Sequence, residues 1–166
     1  MTLVVEDGSN VPGANSYASA DDLYLHASER NITIPTDIGE IEALLLKGMD
    51  YLETLTPRFK GLPKYTAQRL AFPRTVQDEF SYQMVDLGVP DALKKAQIVV
   101  AIASMTTDLM PVQTGSEMDT IRQTVGPITV EYEKASRGMT SRVPQADALL
   151  RPFFTGGFGQ PTVIRG

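Results

Sequence analysis

One stretch in the second half of the chain constrains the fold more than any other. Ile98 to Ala103 reads I-V-V-A-I-A, without a single polar side chain. A helix that is apolar on every side must be enclosed by other elements. Pro90 suits the first turn of such a helix, Asp91 suits its dipole, and Pro111 ends it. The sequence therefore predicts a central, buried helix between these two prolines.

Three further helices are predicted around it. Ser19 is a good N-cap, with Asp22 in the capping-box position. Thr36 or Asp37 caps a second helix, and Pro144 begins a short last one. The predicted ranges are about 20–30, 38–55, 90–107 and 144–154. The fold class expected is mainly α, a small bundle of about four helices with a projecting β-hairpin and extended termini.

Leu46 breaks the pattern of the second helix. The other apolar residues of this helix fill one half of the helical wheel, whereas Leu46 falls among the charged residues of the other half. A single surface leucine is common in soluble proteins. A contact with a neighbouring subunit is the other interpretation, and the sequence leaves both open.

The hairpin is predicted from Ile121 to Glu133, which reads I-R-Q-T-V-G-P-I-T-V-E-Y-E. Apolar and polar residues alternate with the period of a half-buried strand, and Gly126-Pro127 offers a turn. A type II′ turn and a single bent strand both fit this step. An isolated ribbon is marginal in water and needs a partner. The candidate residues for a subunit or tail interface are Ile121, Val125, Ile128, Val130 and Tyr132.

The composition is that of one ordinary globular domain spanning 1–166. Apolar residues make up 42% and charged residues 21% of the chain. No apolar run approaches the roughly 20 residues that a bilayer requires, and the N-terminal segment lacks the basic region of a signal peptide. Cysteine is absent, which excludes disulfides and thiolate metal sites. The helical core is expected over about 19–110 and 144–155, and a C-terminal arm over 157–166.

The sequence offers no catalytic constellation. The one histidine, His26, lies four residues after Asp22, and no third metal ligand accompanies them. No nucleophile elbow occurs, and the glycines at 156–159 lack the G-K-[ST] of a phosphate loop. The expectation is therefore a protein that is not an enzyme, with no cofactor and no metal.

One local enrichment favours nucleic-acid binding. The chain carries a formal net charge of −5, and its basic residues are mostly scattered. Proteins that bind single strands combine a basic groove with aromatic residues on which bases stack. Here such residues gather in one span: Arg58, Phe59, Lys60, Lys64, Tyr65, Arg69, Phe72 and Arg74. An ordered loop with surface cations explains the same pattern and stays open as the simpler interpretation.

The order of several motifs resembles a family of tailed-phage proteins. These motifs are L-V-V-E-D-G-S-N-V-P-G-A-N-S-Y, L-L-K-G-M-D-Y-L with R-F-K-G, F-P-R, V-P-D-A-L-K-K-A, V-G-P-I-T-V-E-Y and D-A-L-L-R-P-F. The family is labelled DnaT-like single-stranded-DNA-binding protein, and its layout is similar to that of phage head–tail connector (adaptor or head-completion) proteins. The similarity covers nearly the whole chain.

That resemblance implies a structural virion protein. It implies a ring of about twelve copies, assembled in the host cytoplasm and placed in the virion neck, which joins the portal protein to a tail or neck protein. Genomic DNA would pass through its channel without specific binding, and no membrane is involved. Residues Thr162, Val163, Ile164 and Arg165 are the candidate portal-docking arm, by strand addition. A frayed terminus is the other interpretation of this arm. The alternative function is a single-stranded-DNA-binding module.

Overall fold

The computed structural model describes residues 2–78, 81–110, 120–125, 128–133 and 143–155, the strands within 120–133 by their backbone alone. The elements are α1 (Ala20–Glu29), α2 (Ile38–Thr54), β1 (Leu62–Pro63), β2 (Arg74–Gln77), β3 (Met84–Asp86), α3 (Asp91–Ala103), β4 (Thr120–Val125), β5 (Ile128–Glu133) and α4 (Pro144–Leu150). Single 3-10 turns follow α2 at Thr56–Arg58 and α4 at Arg151–Phe153. The four predicted helices are confirmed, with boundaries shifted by a few residues.

The helix starts follow from their capping residues. The Ser19 hydroxyl accepts a hydrogen bond from the Asp22 amide at 3.1 Å, and the Asp22 carboxylate accepts one from the Ser19 amide at 2.8 Å. This reciprocal pair is the predicted capping box of α1. Asp37 caps α2 by accepting from the Glu40 amide at 3.1 Å. None of the helices in the described ranges has the length and apolarity to cross a membrane.

Helix α3 is the centre of the bundle, as its sequence predicts. It packs against α1, α2 and α4, and Leu93 and Val100 are fully enclosed. Helices α2 and α3 approach closely at Gly48, where an added Cβ would lie 2.9 Å from the Gln97 carbonyl oxygen. The core residues form two neighbouring clusters, one centred on Leu23, Leu45 and the α3 residues facing them, the other containing the aromatic residues after α2.

Gln97 connects α3 to the segment before α1. Its amide nitrogen donates to the Ser16 hydroxyl at 2.7 Å and to the Leu45 carbonyl at 3.0 Å. Its amide oxygen accepts from the backbone of Tyr17 at 2.8 Å and of Ala18 at 3.0 Å. All four hydrogen-bonding positions of this buried amide are used. Such a network fixes the N-terminal segment against the helices.

The N-terminal segment is folded back on itself, which corrects the expected extended terminus. Val5 forms an isolated bridge with Ser16. The Glu6 carboxylate is buried and accepts from the amides of Gly8, Asn10 and Val11 at 2.8, 2.9 and 3.0 Å. A charged side chain with three amide donors is a stable closure for a turn-rich loop. The expected C-terminal arm, 157–166, lies outside the described residues.

A small antiparallel sheet makes the fold mixed α/β, where the sequence predicted mainly α. Its strand order is β1-β2-β3, with Leu62 opposite Thr75, and Thr75 opposite Asp86. Strand β1 contains only two residues, and all three residues of β3 are exposed. Strands this short, with no buried face along β3, lack the alternating pattern that reveals a strand in a sequence.

The predicted hairpin is present as a separate pair of strands. Strands β4 and β5 run antiparallel, with Val125 opposite Ile128 and Ile121 opposite Tyr132. The pairing excludes the single bent strand. The side chains predicted as a subunit or tail interface, Ile121, Val125, Ile128, Val130 and Tyr132, lie outside the part of the structure that is described at side-chain level.

Candidate nucleic-acid interface

The predicted basic and aromatic residues lie in one connected stretch, which we call the 58–74 segment. It runs from the 3-10 turn after α2, through β1, to the first residue of β2. The structure divides its side chains into two groups. Phe59, Phe72 and Arg74 are buried, whereas Lys60, Lys64 and Arg69 are exposed. Only the second group is placed to meet a ligand.

The two phenylalanines belong to the core. Phe59 and Phe72 are 5% and 1% exposed, and their rings meet edge to face with centroids 5.0 Å apart. Phe59 also stacks on Phe154 at 5.3 Å. Aromatic pairs of this geometry stabilise a core beyond their buried area. The sequence-based expectation that Phe59 stacks on a base is therefore corrected, since neither face of its ring is open.

Arg74 holds the segment together from the inside. The residue is 5% exposed, and its guanidinium donates to the Lys60 carbonyl at 3.0 Å and to the Gly61 carbonyl at 2.6 Å. It also reaches the carbonyls of Phe59 and Ala71, each at 3.3 Å. Burial lowers the pKa of Arg74 from its ordinary value. A guanidinium that is committed to four carbonyls is a scaffold, and the expected phosphate contact at Arg74 is corrected.

Gly61 permits the tight path of the chain over Arg74. Its φ is +77°, and an added Cβ would lie 2.2 Å from the Thr75 carbonyl oxygen. Glycine adopts this left-handed conformation without the penalty that other residues meet. The loop backbone therefore lies directly against β2.

Arg58 lies at the edge of the segment and is half-buried. Its guanidinium carbon is 4.2 Å from the centre of the Phe154 ring, a cation–π contact. Asp147 lies nearby in α4 with one buried carboxylate oxygen, Oδ2, for which the described part of the chain supplies no hydrogen-bond partner. Desolvation raises the pKa of Asp147, and the positive charge of Arg58 opposes this shift. The charge of Arg58 thus partly offsets the effect of burial on the Asp147 carboxylate. Arg58 itself is also partly exposed to solvent.

Among the described residues, Lys64 is the exposed cation of the segment for which an acidic partner is present. Its ammonium forms an ion pair with Asp86 of β3 and lies 5.2 Å from the centre of the half-buried Tyr65 ring. The hydrogen bond between Lys64 and Asp86 raises the pKa of Lys64 and lowers the pKa of Asp86. Within the described residues, the side chains of Lys60 and Arg69 form no ion pair or hydrogen bond. Two cations are therefore fully available to an anion.

Several exposed residues near this segment escaped the sequence-based prediction. Tyr82, in the turn between β2 and β3, is 76% exposed, and Leu62 and Met84 are 67% and 60% exposed. The signals were the glycine turn at Gly88 and the short run before it, Q-M-V-D. Neither was strong enough to assign a strand.

The remaining predicted site residues are not brought into this region. Leu46 of α2 is half-buried, and both its interpretations, a single surface leucine and a contact with a neighbouring subunit, stay predictions. Thr162, Val163, Ile164 and Arg165 lie outside the described residues. Among the residues that the structure describes, no three histidine or acidic side chains form a group able to hold a metal ion.

The chain matches the model of a known protein family. A family described as "Putative DnaT-like ssDNA binding protein" matches residues 1–166, the full length of the sequence. The chain belongs to this family. No curated protein and no solved structure matches the chain.

Membership corrects the main functional prediction from the sequence. The family is described by single-stranded-DNA binding, and the match contains no indication of a head–tail connector. The predicted ring, its portal and tail or neck partners, the passage of DNA without specific binding and the location in a virion neck are therefore wrong. They rested on a similarity of layout, and layout alone does not determine function. The alternative, a single-stranded-DNA-binding module, agrees with the family.

Proposed function

We propose that this protein binds single-stranded DNA through the exposed cations of the 58–74 segment. The observation that carries the proposal is the outward position of Lys60, Lys64 and Arg69 on a backbone that Arg74 fixes from within. The description of the family supports the same ligand. A backbone that is already fixed binds phosphates without first having to order a loop.

The binding energy in this proposal comes chiefly from phosphate neutralisation. Each phosphate that a lysine or arginine neutralises releases bound counterions, so affinity falls as salt rises. Tyr65, next to Lys64, adds a half-buried ring at the same surface. With few cations and a net charge of −5, binding is expected to be weak, and three phosphate contacts set how steeply it falls with ionic strength.

The experiment is a titration of labelled single-stranded oligonucleotide at several salt concentrations, followed by fluorescence anisotropy. Three phosphate contacts on a single strand give a slope of about −2 for the logarithm of affinity against the logarithm of salt. Lys60→Gln and Arg69→Gln should each reduce the magnitude of that slope by about 0.7.

Lys95→Gln is the matched control. Lys95 is an exposed cation on α3, outside the 58–74 segment, so its loss changes the net charge equally without removing a proposed contact. We expect an unchanged slope for this variant. Absence of binding by the wild-type protein at low salt, or an equal loss in the Lys95 variant, would contradict the proposal.

A further inference from the structure

One face of the three-stranded sheet carries two large apolar side chains that are exposed to solvent. Leu62, Thr75 and Asp86 occupy one row of the register, and Gln77 and Met84 lie opposite each other two residues further along. Residues directly opposite one another, and alternate residues along a strand, share a face of a sheet. We call the face that carries Leu62, Thr75, Gln77, Met84 and Asp86 the outer face.

The two apolar side chains of the outer face are open to solvent. Leu62 is 67% exposed, Met84 is 60% exposed, and Gln77 between them is also exposed. On the opposite face, Arg74 turns into the loop and is buried. Val85 also belongs to that opposite face and is 44% exposed. The outer face alone therefore combines two large, strongly exposed apolar side chains.

The outer face meets one of the proposed phosphate-binding cations, Lys64. Lys64 lies two residues beyond Leu62, and its ammonium pairs with Asp86, which is itself an outer-face residue. At the other end, the Gln77 side-chain amide donates to the Tyr82 carbonyl at 3.1 Å. The exposed Tyr82 is thereby tied to the same hairpin.

We propose that the outer face is the platform on which the unpaired bases of a single strand lie. This inference rests on the proposed function: Lys60, Lys64 and Arg69 hold the phosphates while bases contact Leu62 and Met84. A thioether is polarisable and contacts aromatic rings favourably, and an exposed tyrosine ring such as Tyr82 stacks on any base. Apolar contacts do not read the edges of bases. The platform therefore selects unpaired over paired DNA and is tolerant of sequence.

Contact with Lys64 favours nucleic acid over a protein partner on this face. A protein strand docking on a sheet face needs no lysine at its edge, whereas Lys64 pairs with Asp86 of this face. A single strand needs both a cation and an apolar surface, since its phosphates and its bases alternate along one chain. Duplex DNA turns its bases inward and offers this face no apolar surface.

The first test compares substitutions on the two faces of the same sheet. Leu62→Thr combined with Met84→Thr places β-branched residues that favour strands at both positions. The double change removes the two large apolar side chains from the outer face. This double variant should bind labelled oligothymidylate about tenfold more weakly, with an unchanged salt slope, because bases and not phosphates lose contact. Val85→Thr, on the opposite face, should bind as the wild type does.

The second test addresses Tyr82. Tyr82→Ala should lose about fivefold in affinity or more, the lower range for a stacked base, while Tyr82→Phe should retain binding because it keeps the ring. Thermal melts of every variant identify any that fails to fold, and the Val85 and Tyr82→Phe variants then supply folded comparisons.

The third readout is competition by duplex DNA of the same length. The wild type should prefer the single strand, and the Leu62/Met84 variant should lose that preference. If the outer-face variants bind and discriminate as the wild type does, the platform is wrong while phosphate binding by the cations stands. If Val85→Thr weakens binding equally, the effect belongs to sheet stability and the platform is likewise overturned. If the wild type binds no single strand at low salt, the proposed function fails first.

Discussion

At the scale of single residues, a basic side chain within a basic and aromatic segment need not face solvent. Arg58, Lys60, Arg69 and Arg74 have the same charge in the sequence. In the structure, only Lys60 and Arg69 are exposed and unpaired within the described residues, Arg58 lies over Phe154, and Arg74 is buried. A sequence records where charges occur along the chain, but burial depends on which residues fold over them. Composition therefore predicted the segment, and packing decided the role of each member.

Replacing Arg74 by lysine should destabilise the protein by about 1–3 kcal/mol. Lysine keeps the charge but lacks the planar fork that reaches several acceptors at once. Lysine carries three donors on one nitrogen, so at least one of the four carbonyls that Arg74 now reaches would lose its contact, and each buried group left unpaired costs about 1–3 kcal/mol. Urea unfolding measures the difference. Arg69→Lys, at an exposed position, should change stability by less than about 0.5 kcal/mol. Equal stability of the Arg74 variant and the wild type would refute the scaffold role.

At the scale of elements, helices were predictable and the small sheet was not. The capping box predicts helix α1, and an uninterrupted apolar run between two prolines predicts α3. Strands β1 and β3 contain two and three residues, and β3 buries none of them. Their stability comes from pairing with β2 and from the loop over Arg74, which are contacts distant in sequence. The sequence therefore did not predict the outer face of that sheet, nor the part of the candidate site that includes Leu62 and Met84.

The close crossing of α2 and α3 makes Gly48 a sensitive position. Alanine is the better helix former by about 1 kcal/mol, yet its Cβ at this site would lie 2.9 Å from the Gln97 carbonyl oxygen and 3.2 Å from the Ala101 nitrogen. Both atoms belong to the backbone of α3, so relief requires the helices to move apart. We expect Gly48→Ala to lower stability by about 1–3 kcal/mol in spite of its propensity.

Gly39→Ala supplies the control in the same helix. Gly39 is exposed in the first turn of α2, and its added Cβ would approach only the Asp37 side chain, at 3.0 Å. That side chain also caps α2, so the higher helix propensity of alanine and a weakened cap oppose each other, and this variant should lie within about 1 kcal/mol of the wild type when thermal unfolding of both glycine variants is measured. A Gly48 variant at least as stable as the wild type would show that α2 and α3 are not closely constrained at this crossing.

At the scale of the whole molecule, an acidic protein is proposed to bind an acidic polymer. The formal net charge of −5 repels phosphate at long range. Salt screens that repulsion over about 8–10 Å, whereas a contact between ammonium and phosphate acts within a few ångströms. Binding then depends on where the charges lie on the protein. Asp86 is the acid that pairs with Lys64, one of the proposed phosphate contacts.

Asp86→Asn should therefore strengthen binding of single-stranded DNA by about two- to fivefold at low salt. The change releases Lys64 and removes a repulsive charge, while the asparagine oxygen keeps the bond that Asp86 Oδ1 accepts from the Gly88 amide at 2.8 Å. Glu29→Gln is the comparison. It removes one negative charge from another exposed ion pair, between Glu29 at the end of α1 and Arg30 directly after it. Anisotropy titrations of both variants separate net charge from position. A gain confined to Asp86→Asn that shrinks with added salt indicates local electrostatics at Lys64. Equal gains in the two variants would instead assign the effect to net charge, and no gain at Asp86 would remove Lys64 from the interface.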